Sequence, residues 1–143
     1  MLIQPYLFYD GDCEEAIAFY GEAIGATALF KMRFKEAPPD PQRPLAPELA
    51  EKIMHATIQV GDAQFMVSDG GCMSPNKKFE GFGVSLTAPD QATAERYFQA
   101  LSQGAQVTMP FQKTFWSPGF GMLTDKFGVP WMVSAPPLEQ PAG

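Results

Sequence analysis

At 143 residues the chain has the length of one domain, and its 45% hydrophobic content supports a sizeable core and excludes a disordered chain. A net charge of −6, from 10 basic and 16 acidic residues, excludes the basic stripe that nucleic-acid binding needs, Lys77-Lys78 being a single pair. No apolar run approaches the roughly 18 residues of a membrane helix, so neither nucleic acid nor membrane is expected as a partner.

The first segment, Met1-Leu2-Ile3-Gln4-Pro5, lacks a basic region ahead of a long apolar stretch. It does not read as a secretory signal, and a cytoplasmic location is expected. Residues 2–9 suit a strand, which Pro5 assigns to an edge or a bulge. Asp10-Gly11-Asp12 is a turn that starts a helix, with Asp12 as N-cap and Glu15 completing a capping box. Cys13, Ala16, Ile17, Tyr20, Ala23 and Ile24 recur at spacings of three and four, which gives that helix one apolar face. Gly25 ends it. Cys13 falls at the first helical position, where a thiol can be activated, but it also belongs to the apolar stripe, and packing is its expected role.

Residues 26–34 read as a strand. From 35 to 51, Pro38, Pro39, Pro41, Pro44 and Pro47 remove backbone donors and predict a long irregular loop. Strands at Ile53–Val60 and Ala63–Ser68 follow, joined by the Gly61-Asp62 hairpin signal. Residues 69–79 read as loop, with Cys72 as a free thiol without an assigned role. A strand at 82–88 precedes a second helix, capped by Asp90, with a stripe of Ala94, Tyr97, Phe98 and Leu101, and ended by Gly104. Strands at 106–111 and 129–134 flank a hairpin-like segment that runs to Asp125. The tail, 136–143, is Pro-rich and predicted loose.

The two halves repeat. Asp12–Gly25 lies against Asp90–Gly104, each with a central aromatic pair, Phe19-Tyr20 or Tyr97-Phe98. Phe65-Met66-Val67-Ser68 lies against Trp131-Met132-Val133-Ser134. The helices are offset by 78 residues and the Met-Val-Ser strands by 66, which leaves the second half 12 residues shorter. The Pro-rich loop accounts for a deletion of that size. The expectation is one α+β domain over 1–143, built from two βαβββ modules at about 1–70 and 80–135. Neither half alone covers both faces of its sheet, so curved mixed sheets around a cavity are expected.

Two stretches carry a family resemblance. Asp12-x-x-x-Ala16-Ile17-x-Phe19-Tyr20 resembles the first helix of glyoxalase/bleomycin-resistance/dioxygenase proteins, the vicinal-oxygen-chelate superfamily. Phe115-Trp116-Ser117-Pro118-Gly119-Phe120-Gly121 and Thr124–Met132 resemble its PhnB-like branch, as do Met54-His55-Ala56 and Ser68-Asp69. The likeness runs from about Pro5 to Ser134. It implies the two-module fold and, by analogy, a homodimer. Metal-dependent members carry ligands on the first and last strands of each half. Those positions fall here at Pro5, near Gly83, and at Met66 and Met132, where no hard ligand stands. No metal and no cofactor are therefore expected. PhnB-like proteins also carry a demethylubiquinone methyltransferase label. The Gly-rich strand-to-helix loop of an adenosyl cofactor is absent, because Gly119-Phe120-Gly121 leads into a strand.

His55, the only histidine, is the candidate catalytic base. Its strand alternates Met54, Ala56 and Ile58 against His55, Thr57 and Gln59, so it can face a cavity or serve structure alone. Asp69 and Asp125 are its candidate partners, although each follows Ser or Thr in a turn and is expected to cap it. Phe115, Trp116 and Trp131, with Met66 and Met132, are candidates for the wall of a small-molecule site or for core. Three functions stay open. One is a metal-free receptor or cryptic enzyme for a small apolar or aromatic molecule. Another is a metal-dependent lyase, isomerase or dioxygenase using His55. The third is a dimerisation or interaction module without a small ligand.

Overall fold

The computed structural model describes residues 1–70 and 78–137. Cys72, the Ser74-Pro75-Asn76 turn signal and most of the tail lie outside the described residues. The chain divides into two compact units, Met1–Lys77 and Lys78–Gly143. The first holds β1 (Tyr6–Phe8), α1 (Cys13–Ile24), β2 (Thr27–Arg33), β3 (Ile53–Val60) and β4 (Ala63–Ser68). The second holds β5 (Val84–Thr87), α2 (Gln91–Leu101), β6 (Gln106–Gln112), β7 (Phe120–Thr124) and β8 (Pro130–Ser134).

Each unit is a βαβββ module of an α+β fold with a four-stranded mixed sheet. The strand orders are β1-β4-β3-β2 and β5-β8-β7-β6, the same order twice. In both, the first strand pairs parallel to the last and the remaining pairs are antiparallel. The duplication read in the sequence is thus a duplication of topology.

The first strand is shorter than its apolar run. Pro5 stands just outside it and offers its carbonyl to Met66 N at 2.9 Å, and β1 is an edge strand, as a proline without an N–H requires. The segment predicted to be irregular holds two short 3-10 turns, Phe34–Glu36 and Pro47–Leu49, the second with proline in its first turn, where no N–H is needed.

Alternation along the strands decides which face each helix covers. In β4, Phe65 and Val67 are buried and Met66 is half-exposed. Phe65 meets the α1 ring Tyr20, with centroids 6.4 Å apart, so the Phe65 face lies under α1. Leu7, Ala16, Tyr20, Ile24, Ala56, Ile58 and Val67 complete that core. The second module repeats the pattern with Ala94, Phe98 and Leu101 of α2 over Leu123, Trp131 and Val133. Tyr97 is the one member of the predicted stripe that stays half-exposed.

Candidate functional site

Two buried carboxylates set the frame. Asp69, 1% exposed, follows β4. Its Oδ1 accepts from the amides of Gly11 (2.9 Å) and Cys13 (3.0 Å), and its Oδ2 accepts from Ile53 N (2.9 Å). Asp12 stands at the N-cap position of α1 but makes no side-chain cap bond, so the predicted box with Glu15 is not completed from its side. The cap is delivered from 56 residues away. A residue that distant is invisible to any local capping rule. Asp125, 4% exposed, holds the β7–β8 turn of the second module. Its Oδ1 accepts from Phe127 N (2.9 Å) and Val129 N (3.0 Å), and its Oδ2 accepts from the Trp131 indole N–H (2.9 Å). Asp69 commits both its oxygens to backbone amides and not to His55.

His55 finds a different partner. Ala56, its neighbour in β3, is buried in the core, so His55 projects from the face that α1 does not cover. There its Nδ1 lies 2.8 Å from the Tyr6 hydroxyl, and its Nε2 lies 3.4 Å from Thr57 Oγ1. Tyr6 stacks on Phe8 (4.6 Å between centroids, 7° between planes) and meets the His55 ring edge-on at 5.4 Å. Phe30 of β2 closes the other side of His55 at 5.9 Å. Met66 pairs with Tyr6 and with Thr57 across the sheet, which places it in the floor of the same patch. Gly70 borders it, and a Cβ there would stand 3.1 Å from the Phe8 ring. Tyr6, Phe8 and Phe30 remain 37%, 36% and 49% exposed, an unusual outlay of aromatic surface on one sheet face. Burial raises the Tyr6 pKa above its ordinary value, against a smaller lowering by a hydrogen bond with Ser68. Tyr6 and Phe8 were not read as site residues, because an apolar run next to proline reveals strand propensity and not which face is left uncovered.

The other candidates scatter. Met132 pairs with Met122 and Ser85 on the corresponding face of the second sheet. Trp131, adjacent in sequence, points the opposite way: it is 2% exposed in the core beneath α2, its indole bound to Asp125. Phe115 is 91% exposed and Trp116 42%, on the loop between β6 and β7, where they touch each other at 4.7 Å. Trp116 also meets Phe120 at 5.3 Å. Ser117 anchors that loop by donating to Gly119 O and Ala135 O. Cys13 is fully buried, and burial followed by the Asp69 charge pushes its thiol pKa far up, which suits packing and not nucleophilic chemistry. The Pro-rich segment contributes Ala46, Glu48 and Leu49 to a cleft of about 730 Å³ at the β1–α1 turn, where Lys52 donates to Gly11 O at 2.8 Å.

The donor set does not fit the cation of metal-dependent relatives. Sheet register pairs Val84 with Trp131, the counterpart of Phe65, so the second-half equivalent of Pro5 is Val84, one residue beyond Gly83. Pro5, Val84, Met66 and Met132 supply no imidazole and no carboxylate. Among the described residues no three His, Cys, Asp or Glu side chains converge. Among the described residues, too, no helix is long and apolar enough to cross a membrane.

Comparison with known proteins agrees with the two-module topology. The profile of the glyoxalase/bleomycin resistance protein/dioxygenase superfamily matches residues 2–133. Protein YjdN of Escherichia coli is 35% identical over 142 residues, covering 94% of this chain and 95% of its own. The crystal structure of PA1353 from Pseudomonas aeruginosa superposes with a TM-score of 0.83 at 38% identity, over 95% of this chain and 98% of that one. A PhnB protein from Bacillus cereus shares the fold, with a TM-score of 0.75 at 24% identity over 94% and 99% of the two chains. With two βαβββ modules of identical strand order and a family match over nearly its whole length, this chain belongs to the glyoxalase/bleomycin-resistance/dioxygenase superfamily.

Proposed function

We propose that this protein binds a small apolar or aromatic molecule, without a metal, on the helix-free face of its first sheet. The carrying observation is the cluster of Tyr6, Phe8, Phe30, His55 and Met66 on that face, with a thioether at the Met66 position. Rings presented edge and face around a thioether suit a planar apolar guest, and a few hydrogen-bonding atoms within the patch orient it. Met132 on the second sheet and the Phe115–Trp116 loop are secondary candidates for ligand contact. His55 is the candidate for any proton chemistry the site performs. A cytoplasmic homodimer is the proposed setting.

Equilibrium dialysis of the full chain against indole tests the reading. Saturable binding is expected, unchanged by a chelator and weakened about 10-fold by Phe30→Ala, which removes one ring wall. A stoichiometric transition metal that disappears with His55→Ala would replace this reading by a metalloenzyme.

A further inference from the structure

The inference here rests on the reading just given and narrows its ligand. We propose that Tyr6 and His55 form a proton relay that recognises an acidic hydroxyl, a phenol or enol, on the aromatic guest. A surface meant only to cover an apolar ring has no use for two hydrogen-bonding groups joined at 2.8 Å in its middle. The relay uses the tautomer with the proton on Nε2, which Thr57 Oγ1, 3.4 Å away, can accept. Nδ1 is then the acceptor and the Tyr6 O–H donates to it. The Tyr6 oxygen, one lone pair of which Ser68 can engage, keeps a second for a guest, and Tyr6 is 37% exposed.

A guest hydroxyl that donates to the Tyr6 oxygen completes a chain of two hydrogen bonds. Its proton passes to Tyr6 while the Tyr6 proton passes to Nδ1. The guest is left as an oxyanion accepting from a neutral Tyr6, and His55 as an imidazolium. Tyr6 gains one proton and loses one, so the net transfer is from guest to His55. Burial, which raises the Tyr6 pKa, keeps this residue in the protonated form the relay needs. Tyr6 touches the guest, and His55 acts through Tyr6. Phe8, stacked on Tyr6, and Phe30, against His55, hold the two rings and flank the guest's own ring.

Two probes of like shape test the relay: para-nitrophenol, which can lose a proton, and para-nitroanisole, which cannot. On the unmodified full chain the phenol is expected to bind about 10-fold more tightly, as a charge-assisted hydrogen bond allows. Its bound absorption band should shift towards the phenolate at a pH where the free probe is neutral. Tyr6→Phe should equalise the two affinities, and His55→Gln should abolish the band shift while both probes still bind. Equal affinity of the two probes for the unmodified chain, or no band shift, overturns the relay and leaves the apolar receptor standing. Failure of both probes to bind overturns the relay and the receptor together.

Discussion

Two aspartates in equivalent positions, Asp12 and Asp90, behave differently. Asp90 caps α2 by accepting from Thr93 N at 2.7 Å, which lowers its pKa, and Asp12 makes no such bond. Asp90→Ala is expected to lower the Tm by roughly 3 °C, against about 1 °C or less for Asp12→Ala, measured by thermal unfolding at neutral pH. The pH profiles should have opposite signs. Asp90 has its folded pKa below the unfolded one, so it stabilises at neutral pH and that contribution fades as pH falls through the folded value. Asp12 has its folded pKa raised, chiefly by burial and further by the Asp69 charge. The folded state therefore holds that proton longer, and stability falls as pH rises from the unfolded pKa to the folded one. Asp12→Asn should remove this loss, so its advantage over the unmodified chain should appear at neutral pH and close in acid. A constant difference across the titration would contradict the sign. Asp69→Ala is the severe change at this scale. It strips the amides of Gly11, Cys13 and Ile53 of their acceptor inside the module, at a cost on the order of 3–5 kcal/mol in urea unfolding. A loss below about 1 kcal/mol would mean that water replaces the carboxylate.

Close approach of helix to sheet decides stability among the elements. Gly121 of β7 lies under α2, and a Cβ there would stand 2.6 Å from the Phe98 ring, which is 6% exposed and hemmed in by core. Gly121→Ala should therefore cost about 1–3 kcal/mol in chemical denaturation, while relief by Phe98→Leu in the double variant should recover part of it. This requirement shows how far the sequence could be read. The strand and helix spans followed from periodicity and from turn residues, because Gly61, Gly25 and Gly104 adopt the positive φ that their positions as hairpin turn and helix ends require. His55 against Ala56 likewise followed from a period of two. The partner of His55 did not. Its bond to Tyr6 joins strands 49 residues apart through a sheet order that no local pattern encodes. The same holds for the helix cap supplied by Asp69. Trp131 showed the converse. The sequence left it open between ligand wall and core, and its parity in β8 sends it under α2, away from Met132.

At the scale of the whole molecule the duplication is exact in strand order and unequal in chemistry. The uncovered face of the first sheet offers Tyr6, Phe8, Phe30 and His55 around Met66. The same face of the second offers Ser85, Met122, Met132 and Phe120, with the Trp116 ring 5.3 Å from Phe120. Only the first face joins its stacked rings to a hydrogen-bonded phenol and imidazole, Tyr6 and His55, so the first module should dominate binding of a guest with a polar group. Indole should therefore saturate at about one molecule per chain, as expected when a protein has few ligand sites. Met132→Ala should change its dissociation constant less than about 3-fold, well under the effect of Phe30→Ala. The measurement is a dialysis isotherm carried past saturation for the unmodified chain and both variants. Two equivalent sites, or a larger loss from Met132→Ala than from Phe30→Ala, would shift the receptor face from the first module to the second. The superfamily architecture would then be the same, but the aromatic cluster around His55 would lose its claim to the ligand.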